Sequence, residues 1–285
     1  MRAFPGTFDR LDGKPLQFSR LYRLPTQVRS VSTFADAAVA PPAELESSQS
    51  KVATYWLRRD IVRGVFAPME RLKVEQLVKH YGVGHSPVRE AILLLSPSGL
   101  VIHEHQKGYR VAPVSLADYD DVVSVYQRLY KLALSIAMEF GDEAWEERVV
   151  IQLHRLAKVP LPKPDSDPQE RERWQRAYWE LHGQLVSGCG SLLMLQMIGD
   201  IGFRLERYVN LFADRESVDD GNQHAELRAI VDAVIARDPT RAIALVEAYF
   251  ASAQPVRNSI IEKLKRAESL PVRRRGRPPR EADAA

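Results

Sequence analysis

Residues 81–95, YGVGHSPVREAILLL, decide the fold because a helix end and a helix start follow each other within a few positions. Gly82 suits the left-handed conformation that ends a helix. Gly84 or Ser86 can cap the next helix, and Pro87 falls in its first turn, where a proline is well tolerated. The stretch therefore predicts two helices joined by a tight turn. The second helix carries an apolar stripe formed by Val88, Ala91, Ile92 and Leu95.

Polar side chains occupy the start of this second helix. At about 100° per residue, Ser86, Arg89 and Glu90 lie off the apolar stripe and His85 lies at its border. The amino-terminal end of a helix also presents free N–H groups and the positive end of the helix dipole, which favour an anion. These side chains are expected to face either solvent or a partner such as the DNA major groove.

The flanking sequence completes a small module around this turn. Residues 51–64 have helical spacing and stop at a glycine, and residues 74–82 predict a short second helix. After the third helix, residues 100–114 predict two short strands joined by a turn at residues 106–108. Three helices and a β-hairpin wing predict a winged helix-turn-helix, which places the start of its third helix in the major groove.

The chain beyond Pro113 is helical by pattern, and no strand signal of comparable strength occurs there. Loops rich in Pro, Asp, Ser and Gly separate the predicted helices, as expected for antiparallel neighbours. We therefore predict a mainly α protein, in which an all-α antiparallel helical bundle of six helices follows the winged helix-turn-helix. The predicted helices cover residues 117–140, 143–158, 168–188, 191–213, 222–237 and 239–266.

Composition and patterning exclude several classes of protein. The formal net charge of +3 over 285 residues does not by itself indicate a polyanion partner. No apolar run reaches the ~18 residues needed to span a bilayer, and the first residues lack the apolar stretch of a secretory signal. The single cysteine, Cys189, cannot form an internal disulfide. We expect a cytoplasmic protein with no membrane partner.

Sequence motifs of catalysis are missing. The chain contains no nucleophile elbow, P-loop or dinucleotide fingerprint. His103 and His105 form an H-x-H pair on a predicted strand, but no third ligand lies nearby in the sequence. We expect no enzymatic activity.

Residues 57–114 resemble the winged-helix domain of the GntR family of bacterial repressors, and the bundle after them resembles the FCD effector domain of its FadR subgroup. The resemblance implies a homodimer that binds a double-stranded DNA operator and responds to a small-molecule effector; we expect a repressor. The alternative is a non-specific or architectural DNA-binding protein with a vestigial effector pocket. The matching positions are Leu57, Arg58, Ile61, Gly64, Leu72, Leu77, Gly82, Val83, residues 87–91, Gly99, Leu100 and Gly108.

The resemblance and the helix geometry together predict the DNA contacts. Arg89 can hydrogen-bond bidentately to guanine, and Ser86 can reach a phosphate or a base. The chain departs from the family where His85 replaces the usual arginine, and where Leu93 and Leu94 replace basic residues. We expect weaker readout there and fewer phosphate contacts. In the winged-helix domain, residues 49–114, which we call the head, the predicted DNA-binding residues are Arg58, His85, Ser86, Arg89, Lys107 and Gly108.

The carboxyl-terminal segment is basic. Residues 274–280, RRGRPPR, are similar to an AT-hook, in which arginines enter a narrow minor groove. On this interpretation Arg275 and Arg277 bind DNA. The alternative is a solvated basic tail.

The resemblance also locates an effector site in the bundle. Members of the subgroup usually hold a divalent metal with one Asp and three His, and the spacing places these at Tyr178, His182, Leu227 and Tyr249. Three of the four positions are substituted, so we expect no metal and no other cofactor; His182 and His224 are the weaker candidates for a metal ligand.

Tyrosines occupy the positions around this site. Tyr126 and Tyr130 stand where the subgroup often has an Arg and a Glu. With Tyr178, His182 and Tyr249 they are expected to line one effector-binding cavity, suited to a neutral or aromatic molecule. The alternative is that these side chains are ordinary core residues.

These inferences divide the chain into four segments. Residues 1–48 are expected to form a disordered arm, and residues 49–114 a winged-helix DNA-binding domain. Residues 115–268 are expected to form the all-α effector-binding and dimerisation domain, and residues 269–285 a basic, AT-hook-like disordered tail.

Overall fold

A computed structural model of the chain describes residues 48–163, 165–213 and 222–269. Within them, three helices and a β-hairpin precede seven further helices, which confirms the predicted mainly α architecture with a winged helix-turn-helix. Residues 1–47 of the predicted arm and residues 270–285 of the predicted tail lie outside the described residues. The four-segment division therefore stays a prediction.

In the head, helix α1 is Gln49–Val62, α2 is Val74–Tyr81 and α3 is His85–Leu95. Helices α2 and α3 lie where the sequence signals predict them, and α1 lies two residues earlier than the predicted range of 51–64. Gly82 ends α2 in the left-handed conformation, with φ of 66°, and its N–H donates to the Val78 carbonyl. Gly84 is the N-cap residue of α3, which decides between the two predicted caps.

The wing has one more element than the sequence predicted. Strand β1, Val101–Glu104, pairs antiparallel with β2, Gly108–Val111, through a turn at residues 105–107. In addition, the segment 69–72 pairs with β2, because the Leu72 N–H donates to the Tyr109 carbonyl at 2.9 Å and the Val111 N–H donates to the Glu70 carbonyl at 3.0 Å. This segment carries no alternating apolar pattern, so periodicity could not reveal it.

A buried carboxylate connects α1 to α2 beside the apolar core of the head. Asp60 is 2 % exposed and accepts hydrogen bonds from the Arg59 guanidinium at 2.9 and 3.0 Å and from the Tyr81 hydroxyl at 3.0 Å. The His80 Nε2 atom lies 3.3 Å from the same carboxylate. The core around it includes Leu57, Ile61, Leu77, Ile92, Leu95 and Leu100.

The bundle contains seven helices in the described residues, where the sequence predicted six. The last predicted helix, 239–266, is interrupted at Ala253. Pro255 explains the interruption, because it has no N–H for the Ala251 carbonyl and its ring collides with that carbonyl in a continuous helix. The helices are α4 Leu116–Phe140, α5 Glu143–Ala157, α6 Pro168–Ser187, α7 Leu192–Phe212, α8 Gln223–Ile235, α9 Pro239–Ser252 and α10 Gln254–Ser269.

We predict that Asp60→Ala lowers the free energy of unfolding by about 3 kcal/mol, because it leaves the polar groups around a buried carboxylate unpaired. Urea denaturation measures this change. Asp120→Ala is the matched control: Asp120 is 49 % exposed and pairs with Arg257 at 3.1 Å, so its loss should change stability by about 0.5 kcal/mol or less. Equal effects of the two substitutions would contradict the structural role of Asp60.

Candidate functional site

The amino-terminal end of α3 is exposed and its polar side chains have no partner in the described part of the chain. His85, Ser86 and Arg89 are exposed, and none forms a hydrogen bond or ion pair with another described residue. No side chain caps this end of the helix. Glu90, by contrast, accepts a hydrogen bond from Ser50 of α1. The end of α3 is therefore free to meet an anion or a base edge.

The opposite face of α3 is buried. Val88 and Ala91 are each 1 % exposed, and Ile92 and Leu95 are fully buried against the head core. This packing holds the exposed end of α3 on a rigid base. Leu93 and Leu94 are 54 % and 58 % exposed, so the described residues leave uncovered the two leucines that depart from the family pattern.

The wing places a second basic group near the predicted contacts. Lys107 is exposed in the hairpin turn, next to Gly108, whose φ of 83° favours glycine. Arg71, which was not predicted from the sequence, lies beside them: its Nη2 atom is 4.0 Å from the position that a Gly108 Cβ would take. Arg110 instead has a structural role, since it donates to Glu104 at 2.8 Å and to the Met69 carbonyl at 2.9 Å.

The other predicted DNA contacts do not join this surface in the described residues. The Arg58 guanidinium lies over the ring of Phe203 on α7, 4.9 Å from its centroid, so it packs between the head and the bundle. Arg275 and Arg277 lie outside the described residues. Contact of these three residues with DNA stays a prediction.

The five predicted effector-binding residues come together in the bundle. Tyr126 and Tyr130 lie on α4, Tyr178 and His182 on α6, and Tyr249 on α9. The Tyr130 hydroxyl is 2.8 Å from His182 Nδ1, and the Tyr249 hydroxyl donates to the Tyr178 hydroxyl at 3.1 Å. The His182 ring centroid is 4.4 Å from that of Tyr178 and 5.8 Å from that of Tyr249. We call these five residues the aromatic cluster.

One polar neighbour of the aromatic cluster was not predicted from the sequence. Gln223, the first residue of α8, donates from Nε2 to the Tyr249 hydroxyl at 2.9 Å. Nothing in the local pattern marked it, because a glutamine near a helix start is common on protein surfaces.

The aromatic cluster is uncharged at neutral pH. Burial lowers the pKa of His182 to about 3 and raises the pKa of Tyr178 to about 12. Burial also raises the pKa values of Tyr126, Tyr130 and Tyr249 well above the ordinary value of a tyrosine. In each case desolvation is the largest cause, because the charged form loses water without gaining a counter-charge.

These residues do not fit the divalent metal that the subgroup usually holds. Tyr178 and Tyr249 are protonated and bonded to each other, and Leu227, which is 1 % exposed, offers no donor atom. His224 is placed with its Nε2 atom 3.4 Å from the Leu156 carbonyl. Over the described ranges, no group of three or more His, Cys, Asp or Glu is arranged to hold a metal ion. The expectation of a metal-free protein stays a prediction.

A direct chain of hydrogen bonds connects α6 to the head. Gln175, one turn before Tyr178 on α6, donates to the Asn210 Oδ1 atom of α7 at 3.0 Å. Asn210 in turn donates to the Val62 carbonyl, the last residue of α1, at 3.0 Å. Glu172, a further turn back on α6, forms an ion pair with Arg63 of the head. The helix that carries Tyr178 and His182 therefore also holds the end of α1.

Helix α7 also fixes the segment that leaves the head. The buried Arg207 guanidinium donates to the Ala112 carbonyl at 2.6 Å, just before α4 begins. Arg204 pairs with Asp118 in the first turn of α4, and the Tyr208 hydroxyl donates to the other oxygen of Asp118 at 2.7 Å. The end of α1 and the segment that leads from the head into α4 are thus both bonded to α7.

A buried acid lies on the same helix. Glu206 is 4 % exposed, and burial raises its pKa to about 8; the nearby Arg63 opposes this shift and Glu172 adds to it. Glu206 is therefore mostly protonated at pH 7 in the folded chain.

Comparison with known proteins follows the same division of the chain. A family model described as bacterial regulatory proteins, gntR family, matches residues 50–111, and an FCD domain model matches residues 121–252. The HTH-type transcriptional repressor GlaR of Escherichia coli (strain K12) is 32 % identical over 206 residues, which cover 70 % of this chain and 92 % of GlaR. The uncharacterized HTH-type transcriptional regulator BphR of Paraburkholderia xenovorans (strain LB400) is 34 % identical, over 77 % of this chain and 89 % of BphR.

Solved structures share the fold at lower sequence identity. Escherichia coli McbR/YncC matches with a TM-score of 0.61 and 15 % identity, over 76 % of this chain and 99 % of that protein. A putative GntR transcriptional regulator from Rhodococcus sp. RHA1 matches with a TM-score of 0.57 and 22 % identity, over 73 % of this chain and 97 % of the regulator. None of the helices described for this chain is both long and apolar enough to cross a membrane.

We predict that Glu206→Gln makes the chain more stable than the wild type at pH 8, and that this difference shrinks as the pH falls toward 5. The ordinary pKa of the carboxyl is 4.5, so between pH 4.5 and about 8 the folded wild type holds a proton that the unfolded chain releases. Stability of the wild type is therefore lost as the pH rises through this window, by roughly 1 kcal/mol per pH unit, whereas the amide cannot ionise.

Urea denaturation of both proteins across this pH range measures the difference, since other titrating groups contribute equally to the two curves. A constant difference between wild type and variant from pH 5 to pH 8 would show that Glu206 is not held protonated.

Proposed function

Because the chain belongs to the GntR family of bacterial regulatory proteins, with an FCD domain behind its head, we propose that it is a ligand-controlled repressor. It binds a DNA operator through the amino-terminal end of α3, and a small molecule in the aromatic cluster changes its affinity for that operator. The family and both relatives are transcription regulators rather than enzymes, as the sequence predicted.

The observation that carries this proposal is the exposed, unpartnered end of α3 on its buried base. Arg89 can hydrogen-bond to O6 and N7 of a guanine, and the uncapped end of the helix favours a phosphate. Lys107 and Arg71 on the wing add positive charge that can meet the adjacent backbone. These are the two kinds of contact that specify and position a winged-helix head on DNA.

The operator is expected to have two-fold symmetry. One head presents one recognition helix, and two half-sites about one helical turn apart require two heads. A homodimer with an isologous interface supplies them with the matching symmetry.

We infer repression, rather than activation, from a relative of this chain. GlaR is a transcriptional repressor by name, and it is 32 % identical over 92 % of its length. A chain that covers almost all of that protein has the same parts available for blocking transcription.

The proposed control acts through α6. A ligand that contacts Tyr178 or His182 shifts the helix that holds Gln175 and Glu172, and these side chains hold the end of α1 through Asn210 and Arg63. The ligand changes operator affinity if it binds one placement of the head more tightly than another. The coupling free energy then equals the difference between its two binding free energies.

We predict that Arg89→Ala lowers affinity for DNA selected by the wild type from a random pool by about 10- to 100-fold, because it removes a bidentate base contact. It should also relax the preference at one base pair in each half-site. Gel-shift titration against the selected site and against single-base variants measures both effects.

The matched control is Arg173→Ala, which removes an exposed arginine from α6 in the bundle and should leave DNA affinity unchanged. If Arg89→Ala lowers the affinity equally for all DNA sequences, Arg89 contacts a phosphate rather than a base. Unchanged affinity would show that α3 does not enter the groove.

A further inference from the structure

A directional chain of hydrogen bonds runs through the aromatic cluster and ends at Tyr178. Gln223 donates to the Tyr249 hydroxyl, and Tyr249 donates to the Tyr178 hydroxyl. A hydroxyl has one proton, so Tyr178 still has its own to donate. No side chain or carbonyl in the described ranges accepts it.

His182 leaves a second group without a partner. The residue is 2 % exposed, its Nδ1 atom is bonded to Tyr130, and its Nε2 atom has no hydrogen-bond partner among the residues that the structure describes. Buried polar groups in native proteins nearly always find a partner. This nitrogen therefore points to a group that is not part of the described chain.

The tautomer of His182 follows from counting unpaired protons. If the Tyr130 hydroxyl donates to Nδ1, the neutral ring carries its hydrogen on Nε2. In the opposite tautomer Nδ1 donates, and the Tyr130 proton is then also without an acceptor in the described residues. The first tautomer leaves fewer groups unpaired, so Nε2 is a donor.

Two unpaired donors thus lie side by side. Tyr178 and His182 are four residues apart on α6 and their ring centroids are 4.4 Å apart, so the two donors belong to neighbouring side chains on one face of the helix. Aromatic rings surround this position: Trp174 stacks on Tyr178 at 5.0 Å, and Phe250 lies 5.7 Å from Tyr130. The surroundings suit a molecule with an apolar body.

The absence of counter-charge decides between a neutral and an anionic acceptor. In the described residues, the side-chain hydrogen bonds of these five residues are all with uncharged groups, and burial rather than a charged neighbour is the largest cause of their pKa shifts. A carboxylate bound here would be buried beside neutral dipoles only, which is far more costly than burying a neutral oxygen. The same burial that opposes ionisation of the tyrosines opposes binding of an anion.

We propose that the aromatic cluster binds an uncharged molecule through a carbonyl oxygen that accepts from Tyr178 and His182, and that it does so without a metal ion. The inference rests on the proposed function, which places the effector in this cluster, and it adds the chemical class of the effector. It also explains why the usual metal-ligand positions can be lost: a neutral carbonyl needs hydrogen-bond donors and no Lewis acid.

The test compares small ring compounds that carry an uncharged carbonyl group with one that carries a carboxylate. Benzamide, acetophenone and cyclohexanone are titrated onto the full chain by calorimetry, with benzoate as the anionic counterpart and zinc ions as the metal probe. We expect binding of at least one uncharged carbonyl fragment, and weaker or no binding of benzoate and zinc. Tyr178→Phe should weaken carbonyl binding by about tenfold, the effect of one lost hydrogen bond.

Tyr119→Phe is the control, since Tyr119 is a buried tyrosine of α4 that packs with α7 and α10 outside the aromatic cluster, whereas Tyr178 is partly exposed. A second measurement needs no variant. Nitrogen-15 NMR of imidazole-labelled chain should show His182 Nε2 protonated at neutral pH, and its signal should move when the carbonyl fragment is added.

Three binding results would overturn the inference. Tighter binding of benzoate, or zinc binding that depends on His182, would show an anion or metal site. The lack of any uncharged fragment whose binding requires Tyr178 would show that the cluster is core packing. Operator affinity is measured separately on the same protein: a carbonyl fragment that binds without changing it would refute the proposed control and leave the site chemistry standing.

Discussion

The structure depends on the pairing of two head carbonyls with side chains of α7. A helix end and a linker both leave carbonyl groups without intrahelical partners, and a buried carbonyl must be paired. Asn210 donates to the Val62 carbonyl at the end of α1, and Arg207 donates to the Ala112 carbonyl just before α4. The head is therefore bonded to α7 at the end of α1, the helix on which α3 packs, and at the segment that leads into α4.

The free energies of the hydrogen bonds between α6, α7 and the head are large enough for regulation through these helices. Allosteric coupling between two sites typically amounts to about 1–3 kcal/mol, or 5- to 150-fold in affinity. A hydrogen bond between neutral groups contributes about 0.5–1.5 kcal/mol net. The bonds from Gln175 to Asn210 and from Asn210 to Val62 are therefore sufficient in size, without a large movement of the apolar core. Because α6 also carries Tyr178 and His182, a ligand can change these bonds by a small shift of one helix.

Local signals predicted the head and most of the bundle. Gly82 and Pro87 fixed the turn before α3, and helical spacing placed its buried face correctly. The break before α10 could have been found from Pro255, but the apolar pattern continued through it. The convergence of the aromatic cluster came from the family resemblance, because no periodicity relates α4, α6 and α9.

Polar side chains that pair over long sequence separations could not be predicted from the sequence. Gln175 and Asn210 are ordinary exposed-type residues by pattern, and only the packing of α6 on α7 brings them together. Arg58 was predicted at the DNA because of its place in the family motif, and in the structure it lies over Phe203. Arg71 was missed because pairing with β2 positions it.

The most direct test of this account is the operator affinity of Asn210→Ala, measured without ligand on DNA selected by the wild type. Asn210 lies in the bundle, and its side chain is bonded to Gln175 and Val62. If α7 sets the placement of the head, affinity should fall by about fivefold or more while the circular dichroism spectrum stays unchanged. Unchanged affinity in a folded variant would contradict the account, because the head would then be placed independently of α7.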